Sequence, residues 1–134
     1  MRHLGTKAVG ADIATQADLA AKADINSPTI TSLREVRISM PANNISVSSG
    51  NMFSKTMSGA TTFTVSGIPP SGTLVTFIFE LTNGGSNAIT WWSGIKWAGG
   101  VAHVLTAAGR DVLGFYTHDG GTTWTGLLLG KDVK

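Results

Sequence analysis

From Val36 onward, apolar side chains recur at every second position of the chain. Val36, Ile38 and Met40 alternate in this way, and the longest such run covers residues 73–82. A period of two places successive side chains on opposite faces of a strand, whereas a helix needs a period of 3.6. Clusters of Gly, Pro, Asn and Asp separate the runs and predict turns. The sequence therefore predicts a mainly β fold with roughly eight or nine short strands, one of them over residues 101–106.

Close spacing of short strands favours an antiparallel β-sandwich of the jelly-roll kind. Within residues 73–82, Phe77 and Phe79 share one face of the predicted strand, and Leu74 and Ile78 lie on the other. Both faces are largely apolar, which is typical of a strand in the middle of a sheet.

Charged residues are sparse, at 13% of the chain against a usual share of roughly 25%. Between residues 38 and 95 only Lys55 and Glu80 are charged. A monomeric sandwich has a large surface for its volume and normally carries more charge on it. This depletion favours a homo-oligomer in which shared apolar side chains, such as Phe77 and Phe79, are buried between subunits.

Residues 1–35 follow a different pattern and form a separate segment before the β head at 36–134. They are Ala-rich, and Thr15 and Asp18 predict the start of a short helix over residues 16–24. Such a helix is about 13 Å long, and isolated helices of this length are marginal in water. We expect this tether to be ordered by sister chains or by a partner surface. Its contacts are assigned to Ile13, Leu19, Ile25 and Ile30.

Several functional classes are disfavoured by composition. The chain has no Cys, so neither disulfides nor a thiolate zinc site are expected. No run approaches the roughly 18 apolar residues of a membrane-spanning helix, and no Lys/Arg cluster indicates nucleic-acid binding. The N-terminus lacks the apolar stretch of a secretory signal, which favours synthesis in a cytoplasm. We expect no cofactor, and the three His residues lack the spacing of metal ligands.

The most specific local pattern is Thr-His-Asp-Gly-Gly-Thr-Thr-Trp at residues 117–124. It resembles the Asp box of sialidase-type propellers, where the motif is structural and repeated. Here it occurs once, and the chain has few arginines to bind a substrate carboxylate. We interpret it as a hairpin in which Asp119 accepts backbone amides, Gly121 permits positive φ and Trp124 packs over the turn. No catalytic residues are assigned, and the chain is expected not to be an enzyme.

Aromatic side chains provide the remaining candidate site. Trp91 and Trp92 are adjacent and therefore point to opposite faces of a strand, so one of them leaves the core of a single sheet layer. The sequence leaves two alternatives open for this second Trp. It either packs at an interface or under a loop, or it is exposed in a binding site. Exposed aromatic rings stack on sugars, so Trp92, Trp97 and Tyr116 are the candidate glycan contacts.

Two parts of the chain resemble bacteriophage virion proteins. Residues 11–24, rich in Ala, Asp and Lys, are followed by an extended Asn-Ser-Pro stretch at 25–31, which resembles the linker segments of tail fibres. The last sixty residues are similar to C-terminal β domains of phage virion proteins. That similarity is carried by residues 81–85, 89–91, 95–100, 105–107 and 111–130.

The resemblance implies a homotrimer whose N-terminal segment anchors on the particle while the β head projects. The leading hypothesis is a non-enzymatic virion protein, a short fibre or spike whose β head is a candidate for recognition of the host surface. The chain almost lacks the long shaft of full tail fibres, so a head fibre or a capsid decoration (cement) protein remains an alternative. A glycan-binding module is a further alternative. The implied partners are sister chains, other virion proteins and a host surface glycan, without nucleic acid or membrane.

Overall fold

The computed structural model describes residues 31–134 of the chain. Within that part, Glu35–Lys134 forms a compact unit of its own. The helix expected over residues 16–24 lies outside the described residues. So do the expected contact residues Ile13, Leu19, Ile25 and Ile30.

The described part of the chain is mainly β, with ten strands and two short 3-10 turns. Six of the strands form one sheet in the order β1-β3-β6-β9-β10-β8, and two strand pairs, β2-β5 and β4-β7, lie outside it. The strands are β1 Ile38–Ser39, β2 Asn44–Ser46, β3 Met52–Thr56, β4 Thr61–Thr62, β5 Thr64–Ser66, β6 Val75–Thr82, β7 Ile89–Thr90, β8 Ile95–Trp97, β9 Arg110–Thr117 and β10 Trp124–Gly130. The longest expected strand is present as β6, inside the large sheet.

The large sheet is mixed, and this corrects the expectation of antiparallel pairing. Strands β1, β3 and β6 are parallel neighbours, as are β8 and β10, and only the β6–β9 and β9–β10 pairs are antiparallel. Both smaller sheets are also parallel pairs. Alternation of apolar residues fixes which side chains share a face but says nothing about strand direction. The sequence pattern therefore indicated strands but gave no support for the antiparallel pairing expected from their close spacing.

The parallel pairs arise because the first half of this unit winds as a coil. After β3 the chain forms β4 and β5 before it returns as β6 beside β3, so each turn of the coil hydrogen-bonds to the previous one. The same winding pairs β2 with β5 and β4 with β7. Antiparallel strands β9 and β10 then complete the sheet on the far side of β6.

Alternation in β6 defines the core. Val75, Phe77, Phe79 and Leu81 are all at most 9% exposed, and the intervening residues are exposed or half-buried. Phe77 packs edge-on against Phe53 and Phe79 against Phe63. This corrects the assignment of Phe77 and Phe79 to a contact between subunits, because the chain buries both rings in its own core.

A compact turn joins β9 and β10. The Asp119 carboxylate accepts hydrogen bonds from the Thr123 amide and the Thr117 hydroxyl, each at 2.9 Å. Gly121 has φ +84° and donates its amide to the Thr117 hydroxyl, a conformation that few other residues adopt. Trp124 follows at 1% exposure. Asp119 and Gly121 thus belong to the turn itself, and Trp124 packs against Phe77 and Trp92 in the core.

Residues 101–106, expected to form a strand, are an irregular loop instead. A buried carboxylate holds the end of this loop: Asp111 accepts hydrogen bonds from the Thr106 amide at 2.6 Å and the Thr106 hydroxyl at 2.7 Å. It also accepts the Asp132 amide at 2.9 Å. The Thr106 amide therefore pairs with a carboxylate and not with a neighbouring strand.

Candidate functional site

The face of the large sheet that points away from the core carries a group of exposed apolar side chains. Ile78 in β6, Tyr116 in β9 and Leu127 and Leu129 in β10 are 38–55% exposed; we call these four residues the outer patch. In the register of the sheet, Ile78 and Leu127 flank Gly114 from opposite sides. The outer patch is therefore continuous across three adjacent strands.

Gly114 makes the middle of the outer patch flat. A Cβ atom at this position would lie 3.0 Å from Cδ1 of Leu129, which is closer than side chains normally approach. With hydrogen in that place, Leu129 lies across β9 and covers Gly114, which is buried. A flat apolar surface of this kind is suited to packing against another protein surface.

The other end of the same face is charged. Glu80 accepts from the guanidinium of Arg37 at 3.0 Å and of Arg110 at 3.4 Å, and its side chain is only 13% exposed. The side chain of Arg37 is 55% exposed and that of Arg110 is 38% exposed, so solvent screens both pairs and each contributes little stability. The outer face thus consists of an uncharged apolar part and a charged part that follow each other along β6.

The predicted glycan contacts do not form a single platform. Trp92 packs against Phe115 and Trp124 on the core side of the sheet. Trp97 also packs on that side, where Gly126 gives it room, because a Cβ there would meet the ring at 2.8 Å. Tyr116 belongs to the outer patch on the opposite side. Trp91 and Trp92 both pack against Phe115, so the expectation that they point to opposite faces is wrong, because both residues follow β7 and lie outside any strand.

An open cleft next to this aromatic cluster was missed by sequence reasoning. It has a volume of about 260 Å³ and is lined by Asn87, Ile89, Trp91 and the loop residues 102–105. His103 stands edge-on to Trp97, and its Nε2 atom is buried without a hydrogen-bond partner in the described part of the chain. Because residues 101–106 were expected to be a strand, no sequence signal placed His103 beside Trp91.

The outer patch was also missed in part. The sequence places Ile78 on the apolar second face of β6, but Leu127 and Leu129 were not singled out. The run of three leucines at 127–129 was the available signal, since consecutive apolar residues in a strand load both of its faces.

Two carboxyls of the unit have a displaced pKa, and both serve the fold. Burial alone raises the pKa of Asp111, but the hydrogen bonds from Asp132 and Thr106 outweigh it and hold the pKa below its usual range. The amide of Thr123 lowers the pKa of Asp119. The hydrogen-bond partners of both carboxylates are backbone amides and Thr hydroxyls of nearby turns and loops, so this geometry indicates structural roles.

Residues 31–134 contain no group of three or more His, Asp or Glu side chains placed to hold a metal ion. No helix within this range is long and apolar enough to cross a membrane.

Comparison with known proteins gives no relative. No family model, no curated protein and no solved structure matches this chain. Function is therefore argued from the surfaces described above and from the sequence resemblance.

Proposed function

We propose that this chain is a non-enzymatic structural protein of a bacteriophage particle, a short homotrimeric fibre or spike. Residues 1–35 attach it to other virion proteins, and the β head at 36–134 projects and contacts its sister chains. The two small sheets bring Ile45 and Phe63 into the same core as the large sheet, which supports a sandwich-like head. The protein is made in the host cytoplasm and resides in the virion.

The observation that carries the proposal is the outer patch. A sheet face that remains in water normally alternates to polar residues, whereas here Ile78, Tyr116, Leu127 and Leu129 are left uncovered by residues 31–134. Burial of apolar area contributes about 25 cal/mol per Å², so a sister chain packed on this surface gains stability without desolvating a charge. The low charge of the whole sequence agrees with such burial.

Self-association through the outer patch is tested by the double variant Leu127→Lys/Leu129→Lys. Light scattering after gel filtration should give three chains for the unchanged protein and one for the variant, with unchanged circular dichroism. Val101→Lys is the matched control, because Val101 is 71% exposed in a loop outside the sheet, and it should remain trimeric. A variant that stays trimeric would exclude the outer patch as the subunit contact.

The attachment role is tested on phage particles that lack this chain. A fibre or spike that reads the host predicts intact particles with reduced adsorption. A capsid decoration protein predicts normal adsorption and particles that break more readily on heating. Particles unchanged in both respects would contradict a structural role in the virion.

The cleft beside Trp91 favours one second candidate, a glycan-binding head. An indole face with Asn87 and His103 next to it combines a stacking surface with hydrogen-bonding groups, as sugar sites require. Glycan-array binding that is lost in Asn87→Ala, with the fold retained, would support this function. Absence of binding to any host envelope material would remove it.

A further inference from the structure

A second, smaller groove lies at the charged end of the outer face. It has a volume of about 110 Å³ and is lined almost entirely by polar groups. Two of its six lining residues are cations, four carry hydroxyls and none is acidic. The six are Arg37, Ser39, Ser54, Lys55, Thr56 and Thr82.

The two cations are fixed at the groove by other contacts. Two nitrogens of the Arg37 guanidinium, Nε and Nη2, donate to Glu80 at 3.2 and 3.0 Å. A guanidinium group has five N–H donors, so the donors that do not pair with Glu80 remain available for a ligand. The Lys55 ammonium donates to the carbonyl oxygens of Met40 at 3.4 Å and Ala42 at 3.2 Å, which uses two of its three donors. Both side chains are thereby oriented before any ligand binds.

The local charge is positive. Arg37, Lys55 and Arg110 contribute three positive charges around the groove, and Glu80 is the carboxylate that two of them share. The excess of two positive charges equals the net charge of the entire chain, +2. In a protein with so few charges, this concentration at one groove favours an anionic ligand.

We propose that this groove binds a phosphate group. Arg37 and Lys55 supply the opposite charge, and the hydroxyls of Ser39, Thr56 and Thr82 supply short donors to the phosphate oxygens. A water molecule occupies about 30 Å³ of liquid, so the groove has room for a few waters or for one tetrahedral oxyanion. It lies beyond the outer patch, at the end of β6 that finishes in Thr82, and the proposal does not depend on the subunit contact.

The test is a titration of the full-length ¹⁵N-labelled protein with inorganic phosphate at fixed pH and fixed ionic strength. Amide shifts should concentrate at Ser39, Ser54, Thr56 and Thr82, and an equivalent titration with sodium chloride should leave them unchanged. Shifts scattered over the surface, or equal shifts with chloride, would overturn the site.

Charge variants with opposite expected signs separate binding from loss of fold. Arg37→Gln should weaken phosphate binding at least about fivefold, since it removes one charge near the anion. Glu80→Gln should strengthen binding by a similar factor, because it removes the competing carboxylate. Lys96→Gln is the matched control: it also removes one positive charge, but from β8 at the other edge of the sheet, and should leave the affinity unchanged. Equal weakening by Arg37→Gln and Lys96→Gln would show that only net charge matters and would refute the proposal.

A parallel titration with methyl phosphate distinguishes the source of the phosphate group. Binding as tight as that of inorganic phosphate supports recognition of a phosphate carried on a larger molecule, because the groove then tolerates a substituent. Binding of inorganic phosphate alone supports a site for the free ion.

Discussion

Asp111 holds together parts of the chain that strand pairing does not reach. It is fully buried, and its carboxylate accepts three hydrogen bonds, two from Thr106 and one from the Asp132 amide. The loop before β9 and the end of the chain are thus fixed by one side chain. A buried charge is tolerated here because every one of these donors points at it.

Asp111→Asn should destabilise the β head by about 2–3 kcal/mol, because the amide group that replaces one oxygen faces donors instead of acceptors. Urea unfolding followed by tryptophan fluorescence measures the loss. Glu35→Gln removes an exposed carboxylate and should change the free energy of unfolding little. Equal effects of the two substitutions would contradict the role given to Asp111.

The same carboxyl makes stability depend on pH. Its pKa in the folded protein is lowered, and that of Asp119 is lowered as well, so the unfolded chain binds protons first on acidification. The stabilisation is complete above the unfolded-state pKa of about 3.9 and is lost as the pH falls through the lower folded-state values. Thermal unfolding between pH 6 and pH 2 should show this decline, with a smaller decline in Asp111→Asn. A flat profile in the unchanged protein would show that these carboxyls are not linked to folding.

At the scale of single elements, β6 separates the core of the molecule from the outer face of the sheet. Its even-numbered positions face outward and its odd-numbered positions fill the core, with Phe79 fully buried between Phe63 and the strand's neighbours. One strand therefore supplies both core residues and one side of the outer patch.

Phe79→Ala should cost about 3–5 kcal/mol of unfolding free energy, the usual range for removal of a buried aromatic ring. Leu74→Ala provides the comparison, since Leu74 lies just before β6 and is 64% exposed; we expect a change within about 0.5 kcal/mol. Denaturant titration of both variants decides the point. Similar losses of unfolding free energy in the two variants would contradict the placement of Phe79 in the core and of Leu74 at the surface.

Sequence reasoning predicted elements better than their arrangement. Alternation identified β6 and the face that Phe77 and Phe79 share, but it did not show that this face fills the chain's own core. Turn chemistry indicated the Asp119 hairpin, because that signal is local. Strand direction depends on where the chain winds between elements, and that is a property of the whole path. For the same reason the sequence grouped Trp97 and Tyr116 as candidate contacts, although the sheet separates them.

At the scale of the whole molecule, the outer face combines the features that bear on assembly. The apolar outer patch occupies one part of it, and the Glu80 ion pairs and the basic groove occupy the other. If the heads associate through the outer patch, the residues that determine assembly lie within 36–134 and outside the N-terminal segment.

Full-length protein and residues 36–134 alone should therefore have the same number of subunits, three, when their masses are measured by light scattering after gel filtration. The shorter chain contains nearly the whole of the compact unit that begins at Glu35. A trimer only at full length would place the determinant in the first 35 residues. Monomers in both cases would show that the low content of charged residues does not reflect burial between subunits. They would favour a glycan-binding module that consists of a single chain.

The winding of the first strands has a mechanical consequence. Strand β1 is paired to its neighbour over only two residues, Ile38 and Ser39, whereas β6 and β9 are in register over the full length of both strands. Tension applied through the chain that precedes Glu35 reaches β1 first and loads its short pairing with β3. Strand β1 then separates from β3 first, while the β6–β9–β10 part keeps its shape because it is held by longer runs of hydrogen bonds.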